Sequence, residues 1–142
     1  MKNNSIGILF SQEEDGPFAT HLPLVLNEKI GEPDILLGHM AKPNSHWKNL
    51  NHKEVLIVFS GPHAYISPTW YKEEHTVPTW NYTAVHVYGI VEINFMEKTV
   101  AFYERSMSKP WTVSLKDKFI DGLMHGIVGF EITINKFEGK WK

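Results

Sequence analysis

The sequence contains no cysteine. Disulfide frameworks, cysteine-ligated zinc and thiol nucleophiles are therefore excluded. No apolar run reaches the length of a membrane-spanning helix. The opening Met1-Lys2-Asn3-Asn4 leads into no signal-peptide core, so the expectation is a soluble cytoplasmic protein. Positive charge is not in excess: the formal net charge is −2. Nucleic-acid binding draws much of its affinity from phosphate contacts and leaves a basic footprint, and none is visible. The short charge runs, Glu13-Glu14-Asp15 and Lys116-Asp117-Lys118, read as solvated turns or a solvated helix face. There is no internal repeat, no glycine-rich phosphate loop, no H-E-x-x-H and no G-x-S-x-G.

What remains is a chain of 142 residues, 42% apolar and 21% charged. That is one ordinary domain, long enough to bury roughly two-thirds of its unfolded surface. The unusual feature is eight histidines and five tryptophans, concentrated between His39 and His86. The histidines His39, His46, His52, His63, His75 and His86 lack metal-ligand spacing. A metal site built from distant positions, or haem held by one histidine, stays open only as a minor alternative.

Hydrophobic alternation predicts mostly strands. A hairpin is expected from Ser5–Phe10, a turn over Ser11–Pro17, and Phe18–Asn27, with Pro23 at an edge or a bulge. Ile35–Ala41 is a third strand, followed by one or two helical turns over Asn44–Leu50. Val55–Phe59 is apolar on both faces, as in a central strand, and Gly61-Pro62 is expected to break it. Ala64–Trp70 is a further short strand. Thr79–Asn94 is the longest, with Gly89 the place for a bend or bulge. Two helices follow, one capped by Asn94 with Glu97, one starting near Ser114 and stopping at Gly126. Ile127–Asn135 closes the chain. Six or seven strands joined by short turns, with two or three short peripheral helices, predict a mainly β fold. The economical form is a closed or partly closed antiparallel barrel.

The candidate chemistry sits in dense polar-aromatic segments at strand ends. Clustered Trp and Tyr beside Ser, Thr, Asn and His can line a pocket for a flat ligand with polar edges. Lys42, near Asn44 and His39, can offer donors to a phosphate. The same aromatics can equally fill a core or anchor a dimer, and Trp70 and Tyr71 suit an interface.

Several segments then become recognisable. Thr20-His21-Leu22-Pro23, Gly38-His39-Met40-Ala41, Gly61-Pro62-His63-Ala64-Tyr65-Ile66-Ser67-Pro68 and Val77-Pro78-Thr79-Trp80-Asn81-Tyr82 resemble the PaiB family. So do Ala84-Val85-His86, Tyr88-Gly89, Gly126-Ile127-Val128-Gly129-Phe130-Glu131 and Glu138-Gly139-Lys140-Trp141-Lys142. The matches run in order along nearly the whole chain. That family is described as FMN-binding negative transcriptional regulators of sporulation and degradative-enzyme genes, related to the pyridoxamine-phosphate-oxidase-like split barrels. The resemblance implies a six-stranded antiparallel split β-barrel over residues 1–142. It also implies a homodimer, with FMN in the groove between subunits.

By that resemblance the flavin phosphate sits near His39, Met40, Ala41, Lys42, Asn44 and Trp47. The flavin ring or the interface takes Trp80, Asn81, Tyr82 and His86. Thr20, His21 and Trp141 belong to the matching motifs and complete the cofactor-binding set. No catalytic residue and no metal ligand is implied. Relative to the family, an N-terminal helix and a polar C-terminal tail are expected to be missing. The region between Ile93 and Ser114 is shorter, and Asn-Pro-x-Trp is replaced by Asn44-Ser45-His46-Trp47. No helix-turn-helix is recognisable, so any effect on transcription is expected without direct DNA contact. The other function classes are an FMN-dependent reductase or oxidase of a small molecule, a dimeric module without flavin, and a haem-binding split barrel.

Overall fold

The computed structural model describes residues 4–28, 30–73, 75–94 and 126–142. The two helices expected after Asn94 and near Ser114 lie outside the described residues. Six strands form: β1 (Ile6–Glu13), β2 (Gly16–Asn27), β3 (Ile35–Ala41), β4 (Glu54–Ile66), β5 (Thr79–Asn94) and β6 (Ile127–Trp141). They close an antiparallel barrel in the order β1-β2-β3-β6-β5-β4. This is the mainly β, six-stranded barrel that the alternation and the resemblance imply.

Alternation along each strand decides what meets inside. Leu9 of β1, Leu22 and Leu24 of β2, and Leu36 and Met40 of β3 are buried in one cluster. Val55, Ile57 and Phe59 of β4, Val87 and Val91 of β5, and Phe130 and Ile132 of β6 complete it, with Leu50 buried beside them. Every strand thus contributes to a single core. Gly38 makes room for its largest member: a Cβ there would lie 2.5 Å from the Phe130 ring.

Three expectations needed correction. The β1–β2 turn is shorter than Ser11–Pro17, because Glu13 pairs with Gly16 and the strands run almost to the tip. Gly16 takes φ 121°, which a side chain would resist. Gly61-Pro62 does not end β4. The register shifts between Ser60 and His63, so the bulge absorbs a proline that has no N–H to give. Residues 64–66, expected in a separate strand, therefore continue β4, and 68–70 form a 3-10 turn. Finally, β6 runs to Trp141 rather than Asn135. The expected irregularity at Gly89 is present, as a register shift between Tyr88 and Gly89 that leaves Asn135 unpaired. At this shift a Gly89 Cβ would collide with the Thr133 carbonyl oxygen.

These long strands give the barrel an arm. Pairing of β1 with β4 covers only Leu56–Val58, and pairing of β3 with β6 covers only Ile127–Thr133. Beyond those limits β4, β5 and β6 continue together, and residues 63–66, 79–83 and 139–142 project as three strands. Backbone bonds between Tyr82 and Lys142, both 3.1 Å, tie the end of the chain into it.

Candidate functional site

β3 sends Leu36, Gly38 and Met40 inward, so His39 and Ala41 face outward. His39 is half-buried. Its Nδ1 is shielded from water and has no hydrogen-bond partner among the described residues. Burial holds its pKa below the ordinary histidine value. A neutral imidazole keeps one N–H to give and one lone pair to receive. Just beyond it the chain turns, with the Asn44 N–H donating to Ala41 O at 2.9 Å. The Lys42 backbone N–H donates to Gly126 O at 2.8 Å, and its side chain is exposed. Trp47 folds back so that Nε1–H donates to Lys42 O at 2.9 Å, while its ring packs on the core. His39, Lys42, Asn44 and Trp47 therefore all lie at or just beyond one end of β3. Met40 points into the core and pairs with Val128 of β6, so its side chain is not available there.

Beneath this segment lies a polar network that sequence reasoning missed. His46, in the 3-10 turn Ser45–Asn49, is buried. Its Nε2 lies 2.8 Å from Ser11 Oγ and its Nδ1 2.8 Å from Thr20 Oγ1. Ser11 donates to Glu13 Oε1 at 2.6 Å. Asn44 Nδ2 donates to Thr20 Oγ1 at 3.3 Å, and Asn44 Oδ1 accepts from the His46 N–H at 3.0 Å. The Phe18 ring covers the imidazole at 4.5 Å between centroids. Thr20, expected at the ligand, has its hydroxyl committed to this network. The available signal was phase: Ser11 continues the inward series Gly7, Leu9, and Thr20 continues Leu24, Leu22.

The arm gathers the second group. Pairing sets His63 opposite Tyr82, and Tyr65 opposite Trp80, all four on one face. Trp80 lies 6.0 Å from the His63 ring and 5.9 Å from the Tyr65 ring, centroid to centroid. These rings are open to solvent: Tyr65 is 46%, Trp80 56% and Tyr82 45% exposed. Asn81 is on the opposite face of the arm, and Trp141 is exposed at its C-terminal edge. His86 is half-buried on the outer wall of β5, facing Glu138 across the ladder. His21 is exposed on β2, paired with Ile8.

One chain does not bring the two groups together. His39 pairs with Gly129 of β6, while His86 pairs with Glu138. Those β6 positions are separated by roughly 30 Å of strand, at about 3.3 Å per residue. Trp80 and Tyr82 lie further out still.

With this geometry in hand, the chain can be set beside known proteins. Residues 1–136 match the family model described as "Putative FMN-binding domain". The chain belongs to this family. It is 38% identical over its full length to Protease synthase and sporulation protein PAI 2 of Bacillus subtilis, of which it spans 72%. That relative bears out the PaiB resemblance. It is also 29% identical to a protein of Emericella nidulans called AN0679, spanning 76% of it. Among solved structures, an FAD and heme binding protein from Mycobacterium smegmatis superposes with a TM-score of 0.68 at 8% identity. That match covers 99% of this chain and 67% of that one. An FAD binding protein from the same organism gives 0.57 at 14% identity, covering 99% and 87%. At such identities the likeness is one of fold, and the fold is the split barrel.

The residues present fit the family's cofactor, FMN. An imidazole nitrogen that is shielded and has no partner among the described residues belongs to the same short segment as an exposed lysine and an amide side chain. Phosphate oxygens are acceptors that suit all three. No helix among the described residues is long and apolar enough to cross a membrane.

Proposed function

We propose that this chain is a single split-barrel domain that works as a cytoplasmic homodimer, each subunit holding the phosphate of one FMN at its His39–Trp47 segment. The observation that carries the reading is His39, whose buried Nδ1 lacks a partner among the described residues, three residues before Lys42. Lys42 Nζ supplies charge to the phosphate, while His39 and Asn44 orient it. Bound FMN contributes a redox-active ring. The separation along β6 supports the dimer. A ligand held at His39 reaches an aromatic arm only if a second copy presents one. The arm's exposed Tyr65, Trp80 and Tyr82 are the residue types that anchor interfaces.

In this reading the protein is a PaiB-type regulator that influences transcription without touching DNA. The chain's net charge of −2 agrees with that. The first test is FMN titration followed by flavin fluorescence, with sedimentation of the same samples. Saturable micromolar binding by a dimer is the expected result, and Lys42→Ala weakens it without lowering the melting temperature appreciably. Unchanged affinity in Lys42→Ala moves the phosphate elsewhere. Tight sequence-specific binding of a promoter fragment by the purified protein refutes the indirect mode of action.

A further inference from the structure

The buried network under the Lys42–Trp47 segment has a definite proton arrangement. Ser11 has one hydroxyl proton and gives it to Glu13 Oε1, 2.6 Å away. Ser11 Oγ must then accept from His46 Nε2–H at 2.8 Å. That assigns the tautomer from the donor count and leaves Nδ1 as a bare acceptor. Thr20 donates to it at 2.8 Å and accepts in turn from Asn44 Nδ2. Each of these donors meets an acceptor along the series Glu13, Ser11, His46, Thr20, Asn44. The series joins β1, β2 and the segment after β3 through one imidazole that is 2% exposed.

A second proton on His46 breaks this arrangement. Nδ1–H and the Thr20 hydroxyl would then face each other as two donors. The hydroxyl must turn away: Thr20 Oγ1 then has to accept from both Nδ1–H and Asn44 Nδ2, and its own proton loses its acceptor. We propose that His46 is a positioning residue: as a neutral imidazole it pins the Lys42–Trp47 segment to the β1–β2 hairpin, and protonation at Nδ1 releases it. Resting on the flavin reading above, this makes the phosphate grip dependent on a residue that never touches the ligand. Burial of the ring disfavours the charged form, while Glu13 on β1 favours it. Glu13 itself is offset by Lys53, which precedes β4. From β2 the ring meets Phe18 and Thr20, neither of which titrates near neutrality.

The test reads the segment and the ligand separately. Backbone amide exchange of Asn44 and His46 is followed by NMR from pH 8 to pH 5, corrected for intrinsic rates and referenced to Ile57 in the barrel wall. In the wild type, protection of both amides falls at least tenfold across that range. In His46→Gln, which keeps a donor and an acceptor but cannot titrate, the profile is flat. His39→Gln retains the wild-type profile. Thr20→Val, which removes the hydroxyl and keeps the shape, loosens the same amides at pH 8 and serves if His46→Ala does not fold. At pH 8, where these histidines are neutral, His46→Ala binds FMN at least tenfold more weakly, and His46→Gln recovers part of the loss. A flat wild-type exchange profile, or one that survives unchanged in His46→Gln, overturns the proposal whatever FMN does. Absence of FMN binding by the wild type with the exchange difference intact refutes the flavin reading and leaves the pin standing.

Discussion

The mouth of the barrel and the arm use the same kinds of residue in opposite ways. At the mouth, His46, Ser11, Thr20 and Glu13 are turned toward one another, and both imidazole nitrogens are bonded within the chain. On the arm, His63, Tyr65, Trp80 and Tyr82 share a face and stay in water, with ring contacts near 6 Å. Strands run through both places, so the difference is not one of strand content alone. It is a difference in what the side chains have for a neighbour. The mouth is finished by its own sequence. Among the described residues the arm's rings stay about half exposed, and a contiguous exposed aromatic surface of this kind is what the proposed dimer would cover.

The sharpest way to test that contrast is to remove one aromatic from each region. Phe130→Ala empties the barrel centre, where the ring is 2% exposed and lies against Gly38. The expected cost is about 3–5 kcal/mol, read from urea unfolding. Trp80→Ala removes a larger ring from the arm. In dilute, monomeric protein it should change stability by less than about 0.5 kcal/mol, because an exposed side chain has little to lose. For the proposed dimer, the dissociation constant should rise at least tenfold, about 1.4 kcal/mol, by sedimentation. A large loss in the dilute monomer would mean that the arm belongs to the fold of one chain after all.

Acid should strike the mouth and the β3 end before it affects the arm. Burial lowers the pKa of both His39 and His46 from the ordinary 6.5. The unfolded chain therefore takes up protons that the folded chain refuses. Stability is complete above about 6.5 and falls as pH drops below it, toward the lowered folded values. Glu13 adds to this further down. Its hydrogen bond from Ser11 holds its pKa below 4.5, so its contribution is present above 4.5 and lost as pH falls through the lowered value. Unfolding midpoints measured between pH 8 and pH 5 should decline in the wild type and decline less in His46→Gln. A wild-type midpoint that stays level to pH 5 would contradict the burial of both rings.

How much of this was legible in the sequence follows from how each region records itself. The barrel was legible because period-two burial leaves a pattern: Val85, Val87 and Val91, or Phe130 and Ile132, announce a face. The limits of β3 and β5 came out as expected for the same reason. The distal half of β6 did not, because Lys136-Phe137-Glu138-Gly139-Lys140 buries no residue fully and carries no apolar alternation. Gly61-Pro62 read as a break because a bulge that spares a proline its missing N–H leaves no mark in composition. His39, Lys42, Asn44 and Trp47 could be grouped since they are neighbours in the chain. The link from Ser11 and Thr20 to His46 joins three separate elements, and only the closed barrel brings them within bonding distance.

The smallest expected effect probes where the arm meets the barrel wall. Glu138 accepts from Lys136 at 2.6 Å and from Lys140 at 3.0 Å, and the Tyr88 hydroxyl donates to it at 3.2 Å. The hydrogen bonds from Lys136 and then Lys140 draw its pKa down to about 2. A lowered carboxylate contributes stability above its unfolded value, and that contribution is lost only as pH falls through about 2. Both lysines are open to water, however, and water and salt screen such a cluster until little of it reaches the folding equilibrium. Glu138→Gln should therefore leave the unfolding midpoint of the dilute monomer unmoved at pH 7, at low and at high salt. In the proposed dimer the expectation reverses if the second copy covers this wall of β5 and β6. The cluster would be desolvated, and the same substitution would weaken association in a salt-dependent way. A loss confined to the dimer would extend the interface from the aromatic arm down to His86 and Tyr88. No loss in either state would confine the interface to the arm.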